Sequence, residues 1–217
     1  MNNIRRISLA LITVASVTAA NASILTVSGM ASGRFQNVTV NYLGNNLAVA
    51  AGAQDASYNS SSFLGYCVDI TKFNNLPTSY EVTPVNASTT LPNGIRVSKL
   101  YNKYAAGATG NQAAALQLAI WDVLYDNGDG LSSGTFKSGV SGSILSNYNT
   151  IIADSLTGIS DLATHFDPTN HGTKGDKNQG LIGPATFLPP APVPEPSSMA
   201  VLGLGALAFR RRRSKKA

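Results

Sequence analysis

The sequence predicts an α+β domain: a β-sandwich or barrel-like body with an inserted helical part of about three helices. Three observations predict it. Residues 38–70 alternate apolar and polar with period two around turn residues. Residues 95–156 switch to the i, i+3, i+4, i+7 spacing of a helical face. Both chain ends have the composition of targeting segments and stand apart from the body.

The elements follow in order. Val38, Val40 and Tyr42 alternate with polar residues, Gly44-Asn45-Asn46 is turn chemistry, and Leu47 to Ala51 returns, which predicts a hairpin. Leu64, Tyr66, Val68 and Ile70 predict a strand over 63–70, with Cys67 and Asp69 on its opposite face. Residues 78–86 form a further strand that Pro84 confines to an edge. Val97, Leu100, Tyr101 and Tyr104 mark a first helical face. Thr109 to Gln112 is a capping box that opens a second helix with a buried stripe of Leu116, Ala119, Ile120, Val123 and Leu124, ended by Asn127-Gly128. Leu145, Tyr148, Ile151 and Ile152 predict a third helix over 142–156. Residues 157–180 read as loop, and 185–188 as a last strand.

The ends divide the chain further. Two arginines, an apolar stretch from Ile7 to Ala19 and the small-x-small Ala20-Asn21-Ala22 make residues 1–22 a secretory signal peptide, so the mature chain is expected to start at Ser23. The globular domain takes 23–188. A Pro-rich linker spans 189–196, with five prolines in eight positions. Residues 197–217 are an apolar sorting helix with a basic cluster. Its apolar run, Met199 to Phe209, is eleven residues long, against roughly 20 for a permanent span. It therefore suits a temporary anchor, with Arg210, Arg211, Arg212 and Arg213 as a cytoplasmic stop.

Setting the ends aside reverses the charge. Residues 23–196 hold eight Lys+Arg against 11 Asp+Glu, about −3, so the high pI belongs to the targeting segments and no basic face speaks for nucleic acid. About 174 residues remain, enough for one domain with a real core. There is no phosphate loop, no Cys/His quartet and no internal repeat, and no cofactor is expected.

The chemistry centres on one cysteine. Cys67 is the only cysteine of the chain, so it is buried, paired with another chain, or reactive. On the most apolar helix, Gln117 stands one turn before the only tryptophan, Trp121. Gln117 has little reason to be polar among Leu116, Leu118 and Ala119 unless its face is special. A thiol held against a carboxamide in a dry site can attack it and expel ammonia, leaving a Cys-Gln thioester. Gln112 is the competing acyl donor, but its capping role already explains it.

Two resemblances follow from these residues. Val193-Pro194-Glu195-Pro196, the apolar run and the terminal arginines resemble the PEP-CTERM tail of exported bacterial proteins. That resemblance implies cutting by an exosortase, a transient membrane stage, and an exopolysaccharide-bearing envelope of the Gram-negative type. Tyr66-Cys67-Val68-Asp69, followed fifty residues on by Gln117-x-Ala119-Ile120-Trp121, resembles the thioester domains of bacterial surface adhesins. There Cys67 would be the thiol, Gln117 the acyl donor and Trp121 a wall against water, with Tyr66, Asp69 and Ile120 around the bond. Leu116 departs from the Thr frequent in that family.

Other candidates carry less. His165 and His171 with Asp161, Asp167 and Asp176 offer ligand atoms but read as hydrated loop residues. Asp126-Asn127-Gly128-Asp129-Gly130 lacks the EF-hand spacing and reads as a helix-ending turn, so no metal site is assigned. The expectation is an exported protein, not an enzyme, handled by signal peptidase and exosortase and delivered to the cell surface or matrix. It captures an amine-bearing partner through the thioester. The alternative is a noncovalent structural or binding protein of the envelope matrix in which Cys67 is merely packed; a secreted carbohydrate-binding or hydrolytic domain is a more distant third.

Overall fold

The computed structural model describes residues 23–169 and 178–190. The leader, His171, Asp176, the Pro-Glu-Pro motif at 193–196 and the arginines at 210–213 lie outside the described residues. The elements run β1 (Ser23–Tyr42), β2 (Asn45–Tyr58), β3 (Ser61–Cys67), β4 (Thr78–Asn86), the single turn α1 (Ala87–Thr90), α2 (Gly94–Tyr104), α3 (Gly110–Asp126), β5 (Phe136–Ser138), α4 (Gly142–Ile152), β6 (Ala163–Pro168) and β7 (Leu181–Pro184).

All strand pairings are antiparallel, in the order β2-β3-β7-β6-β4-β1-β5, and β1 also pairs with β2. That extra pairing closes six strands into a barrel and leaves the short β5 as an outer strand on β1. Leu25 shows the closure directly: it faces Tyr58 of β2 on one side and Tyr80 of β4 on the other. The α+β reading therefore holds, in its barrel form.

The β1–β2 hairpin is long and bent. Its register breaks between Met30 and Phe35, where Gly52 adopts φ 149° and any Cβ would run into Arg34 O. The tip is a two-residue turn at Leu43 and Gly44, both with positive φ, one position ahead of the Gly44-Asn45-Asn46 turn expected. The far half of β1 carries β5, through Val40 to Tyr42.

Helix α3 packs against β1, β2, α2 and α4. Every residue from Ala113 to Leu124 is buried, so the single apolar stripe expected there becomes burial all round. The other helices tie to it through backbone carbonyls. Asn93 Nδ2 donates to Val123 O at 2.8 Å, and the Arg96 guanidinium donates to Asn127 O and Ile152 O at 3.0 and 2.9 Å.

Several expectations need correction. Thr109 is the N-cap of α3 but makes no side-chain capping bond, because Gly110 enters the helix with φ 46° and turns the chain away from that geometry. Helix α4 stops at Ile152. Residues 163–168, read as loop, form β6: Thr164 and His165 are buried among its apolar residues, so no alternation marks the strand. The last strand is 181–184, and 185–187 make a 3-10 turn whose Phe187 packs on Tyr58 and Phe166. Pro84 lies on an inner strand, yet the β1 partner ends at Val82, so at Pro84 only β6 is paired and the missing N–H costs nothing.

Candidate functional site

Cys67 ends β3 at the point where one of its neighbours leaves. β2 pairs with β3 only as far as Gln54 opposite Gly65, whereas β7 continues alongside through Leu181 opposite Cys67. The main-chain groups of Cys67 that face away from β7 thus lack a strand partner. Gln117 of α3 supplies one. Its Oε1 accepts from Cys67 N–H at 3.0 Å and its Nε2 donates to Cys67 C=O at 2.8 Å. Both residues are shut from solvent, Cys67 at 3% exposure and Gln117 at 1%.

This arrangement sets the carboxamide carbon of Gln117 opposite the Cα from which the cysteine side chain branches. The Cys67 Sγ donates to Asp69 O at 3.1 Å. Burial pushes the thiol up from 9.0 to about 12, against a smaller lowering by that bond to Asp69; the Asp69 charge pushes up as well, and the Trp121 side chain lowers it slightly. The Trp121 indole N–H has no hydrogen-bond partner within normal reach among the described residues, so it does little for the sulfur. The ring itself is 3% exposed and packs edge-on to Phe136, 6.1 Å between centroids.

The remaining expected residues fall as follows. Tyr66 is fully buried and packs edge-on to Tyr101 of α2 at 6.2 Å. Asp69 meets the sulfur with its backbone carbonyl, while its carboxylate takes Thr71 N–H and Oγ1 at 2.9 and 2.7 Å. Ile120, next to Trp121 in sequence, is fully buried in the core. Gln112 sits half-buried in the first turn of α3, five residues from Gln117, and its N–H donates to Thr109 O at 3.0 Å.

Residues the sequence did not single out complete the surroundings. A cavity of about 170 Å³ lies against Cys67 and Trp121, lined also by Gln54, Phe73, Leu76 and Gln179. They come from β2, the β3–β4 loop and the approach to β7. No spacing in the sequence relates them.

Of the candidate metal ligands, His165 and Asp167 stand on β6 and not on a loop, with His165 only 8% exposed and its Nδ1 3.4 Å from Thr90 Oγ1. Asp126-Asn127-Gly128 ends α3, as expected, with Asn127 and Gly128 at positive φ. Asp126 and Asp129 bring carboxylate oxygens within 4.8 Å of Asp122. Protein donors occupy both oxygens of Asp126, from the Thr135 hydroxyl and Phe136 N–H, but only Oδ2 of Asp122, from the Tyr148 hydroxyl and Gly130 N–H, and the buried Asp122 Oδ1 has no partner among the described residues.

Residues 192–214 match the PEP-CTERM protein-sorting motif. The protein is exported and sorted by an exosortase. Its precursor is held in the membrane before release. Among the described residues no helix is long and apolar enough to cross a membrane; the apolar run of the tail is not among them. The fold is similar to the thioester domain of the Staphylococcus aureus TIE protein, at 16% identity and TM-score 0.40, over 77% of this chain and 79% of that one. No curated protein matches the chain.

Proposed function

We propose that this exported protein is a covalent adhesin in which Cys67 and Gln117 form an internal thioester that captures an amine on a partner surface. One observation carries the reading: the Gln117 carboxamide is docked on the N–H and C=O of Cys67 itself, at 3.0 and 2.8 Å, in a site closed to solvent. Holding both groups together replaces a bimolecular encounter by an intramolecular one, which removes much of the entropic part of the barrier.

The chemistry runs in two steps. In the first, the Cys67 sulfur attacks the carboxamide carbon, the S–C bond forms, the C–N bond breaks, and the thiol proton leaves with the nitrogen as ammonia. In the second, an amine nitrogen attacks the same carbon, the S–C bond breaks, and a proton from the amine passes to sulfur. An amide and a free thiol result. The Cys67 N–H already bonded to Oε1 is a donor aimed at the oxygen on which negative charge builds in both steps. Burial holds the thiol neutral at pH 7, which slows thiol attack on an amide carbon in either direction, so the first step leans on the donor at Oε1 and reversal of the second is slow as well. The captured amine stays bonded to Gln117, so capture is one event per molecule and the protein is not an enzyme. On this reading signal peptidase frees Ser23, exosortase cuts at the Pro-Glu-Pro, and the body acts at the cell surface or in the matrix.

The intact mass of the purified exported protein tests this. A thioester makes it one ammonia lighter than its sequence and blocks thiol alkylation until an amine is added. The competing reading is a noncovalent envelope protein, and it too has an observation behind it: two hydrogen bonds to an unpaired strand end explain a buried glutamine without any reaction. Full mass with a thiol that alkylates on unfolding, before any amine, selects that reading.

A further inference from the structure

We infer that the cavity against Cys67 selects the nucleophile: the captured group is a primary amine on an apolar stem, and Phe73 and Leu76 set that preference. The inference rests on the thioester reading above. The cavity measures about 170 Å³ and touches Cys67 and Trp121 of the acyl site, though not Gln117 itself. An apolar cavity of about 150 Å³ is large enough to hold benzene, so there is room for a stem of about four to six carbons.

Its chemistry is as informative as its size. Met30, Val49, Ile70, Phe73, Leu76 and Trp121 make most of the wall, and the polar lining is carboxamide, from Gln54, Asn74 and Gln179. Among the described residues no Asp, Glu, Lys or Arg lines it. An ammonium entering would lose water and gain no counter-charge, so the neutral amine is the form that enters, and only that form carries a nucleophilic lone pair. A carboxylate on the stem would lose its hydration and find no counter-charge in this lining, and a hydroxyethyl stem covers less of the apolar wall than an alkyl one.

Phe73 and Leu76 form the outer lip, at 50% and 37% exposure. The loop that carries them is held firmly. Gln179 Nε2 donates to Lys72 O and Gln179 N–H to Asn74 Oδ1 at 3.0 Å, so the residues on both sides of Phe73 are anchored. Gln179 O is itself fixed by the Tyr80 hydroxyl at 2.6 Å. An aromatic and an aliphatic side chain presented to solvent on a pinned loop beside a cavity are preorganised to receive an apolar group.

The test measures adduct formation on the exported protein by intact mass, with methylamine, butylamine and ethanolamine at equal free-base concentration. Each buried methylene contributes about 4-fold, so butylamine should react at least about 10-fold faster than methylamine, with ethanolamine no faster than methylamine. In the double variant Phe73→Ser/Leu76→Ser the ammonia loss should remain and the preference should fall to within about 3-fold. Equal rates for the three amines in the wild type overturn this inference and leave the thioester standing, as does an undiminished preference in the double variant. Wild-type protein at full sequence mass overturns the thioester reading and this inference with it.

Discussion

Gln117 completes on Cys67 the hydrogen-bond ladder that β2 leaves unfinished. The last β2–β3 pair is Gln54 with Gly65; two residues further on, the bonds that Gly52 would have made come from the Gln117 side chain at 3.0 and 2.8 Å. Val68 N–H points the other way and stays with the sheet, bonded to Gly180 O at 3.0 Å. The departure of β2 thus does two things at once. It lets a helix side chain reach the cysteine main chain, and it opens the space between Met30, Gln54 and Cys67 that becomes the cavity.

In the Cys67→Ala background, where no thioester forms and both bonds persist, Gln117→Ala is expected to cost about 2 to 6 kcal/mol, because a buried N–H and a buried C=O are left unpaired at about 1 to 3 kcal/mol each. Cys67→Ala removes one small side chain and leaves those bonds in place, so about 1 to 2 kcal/mol is expected. Gln112→Ala, half-buried and away from the pair, should stay within about 0.5 kcal/mol of wild type. Urea unfolding midpoints at constant m-value check the order. A Cys67→Ala/Gln117→Ala double variant as stable as Cys67→Ala would show that the ladder bonds carry no weight.

Gly52→Ala should be more damaging than its position on a long strand suggests. Its φ of 149° is one that side chains rarely adopt, and the added Cβ would meet Arg34 O and Phe35 together. Straightening β2 to relieve the clash would close the opening that Gln117 fills. We expect a loss of about 3 kcal/mol or more, with ammonia loss reduced in whatever folds. Thermal unfolding and intact mass of the same preparation read both effects.

What the sequence showed, and what it hid, follow from where the information lies. Cys67 and Gln117 were legible because each is a local anomaly: a lone cysteine, and a polar residue inside an apolar helix. The hairpin, β3, β4 and the three longer helices were legible from periodicity. β6 was not, since Thr164, His165 and Asp167 read as hydrated while burial among β4, β7 and α1 hides their polarity. The first half of β1 was missed because the hairpin was read outward from its turn, and Leu25 and Val27 belong to the barrel closure. The cavity was beyond reach, since Met30, Phe73 and Gln179 meet only when the barrel closes.

Removing residues 193–217 should leave folding untouched, because every described element lies between Ser23 and Phe187. The truncated protein is expected to show the wild-type melting temperature and far-ultraviolet spectrum, and to pass into the periplasm or medium without exosortase processing. Fractionation of cells expressing it, alongside the full chain, checks the second part. A truncated protein that fails to accumulate in soluble form would give the tail a share in the fold.

Alkaline stability separates the two readings of Cys67 without any added nucleophile. A free thiol here is pushed by burial up to about 12, while in the unfolded chain it ionises near 9.0. Its raised folded value means that the folded state keeps the proton after the unfolded state has lost it. The contribution is complete below pH 9 and is lost as pH rises toward 12, at about 1.4 kcal/mol per pH unit. A thioester has no thiol to titrate. Tyr66, Tyr101 and Tyr148, held above their usual range, also weaken the fold at alkaline pH, equally in wild type and Cys67→Ala, whereas Tyr125 is held up mainly by burial and in part by the charge of an ionised Cys67, and so adds to the difference in the same direction when the thiol is free. The comparison is therefore the difference between those two proteins from pH 8 to 10.5, measured quickly enough to avoid hydrolysis. If the sulfur is acylated the difference stays flat, and if the thiol is free wild type loses stability faster than Cys67→Ala by about 1.4 kcal/mol per unit above pH 9. The second outcome would sink the covalent mechanism, since a sulfur that titrates is not bonded to Gln117.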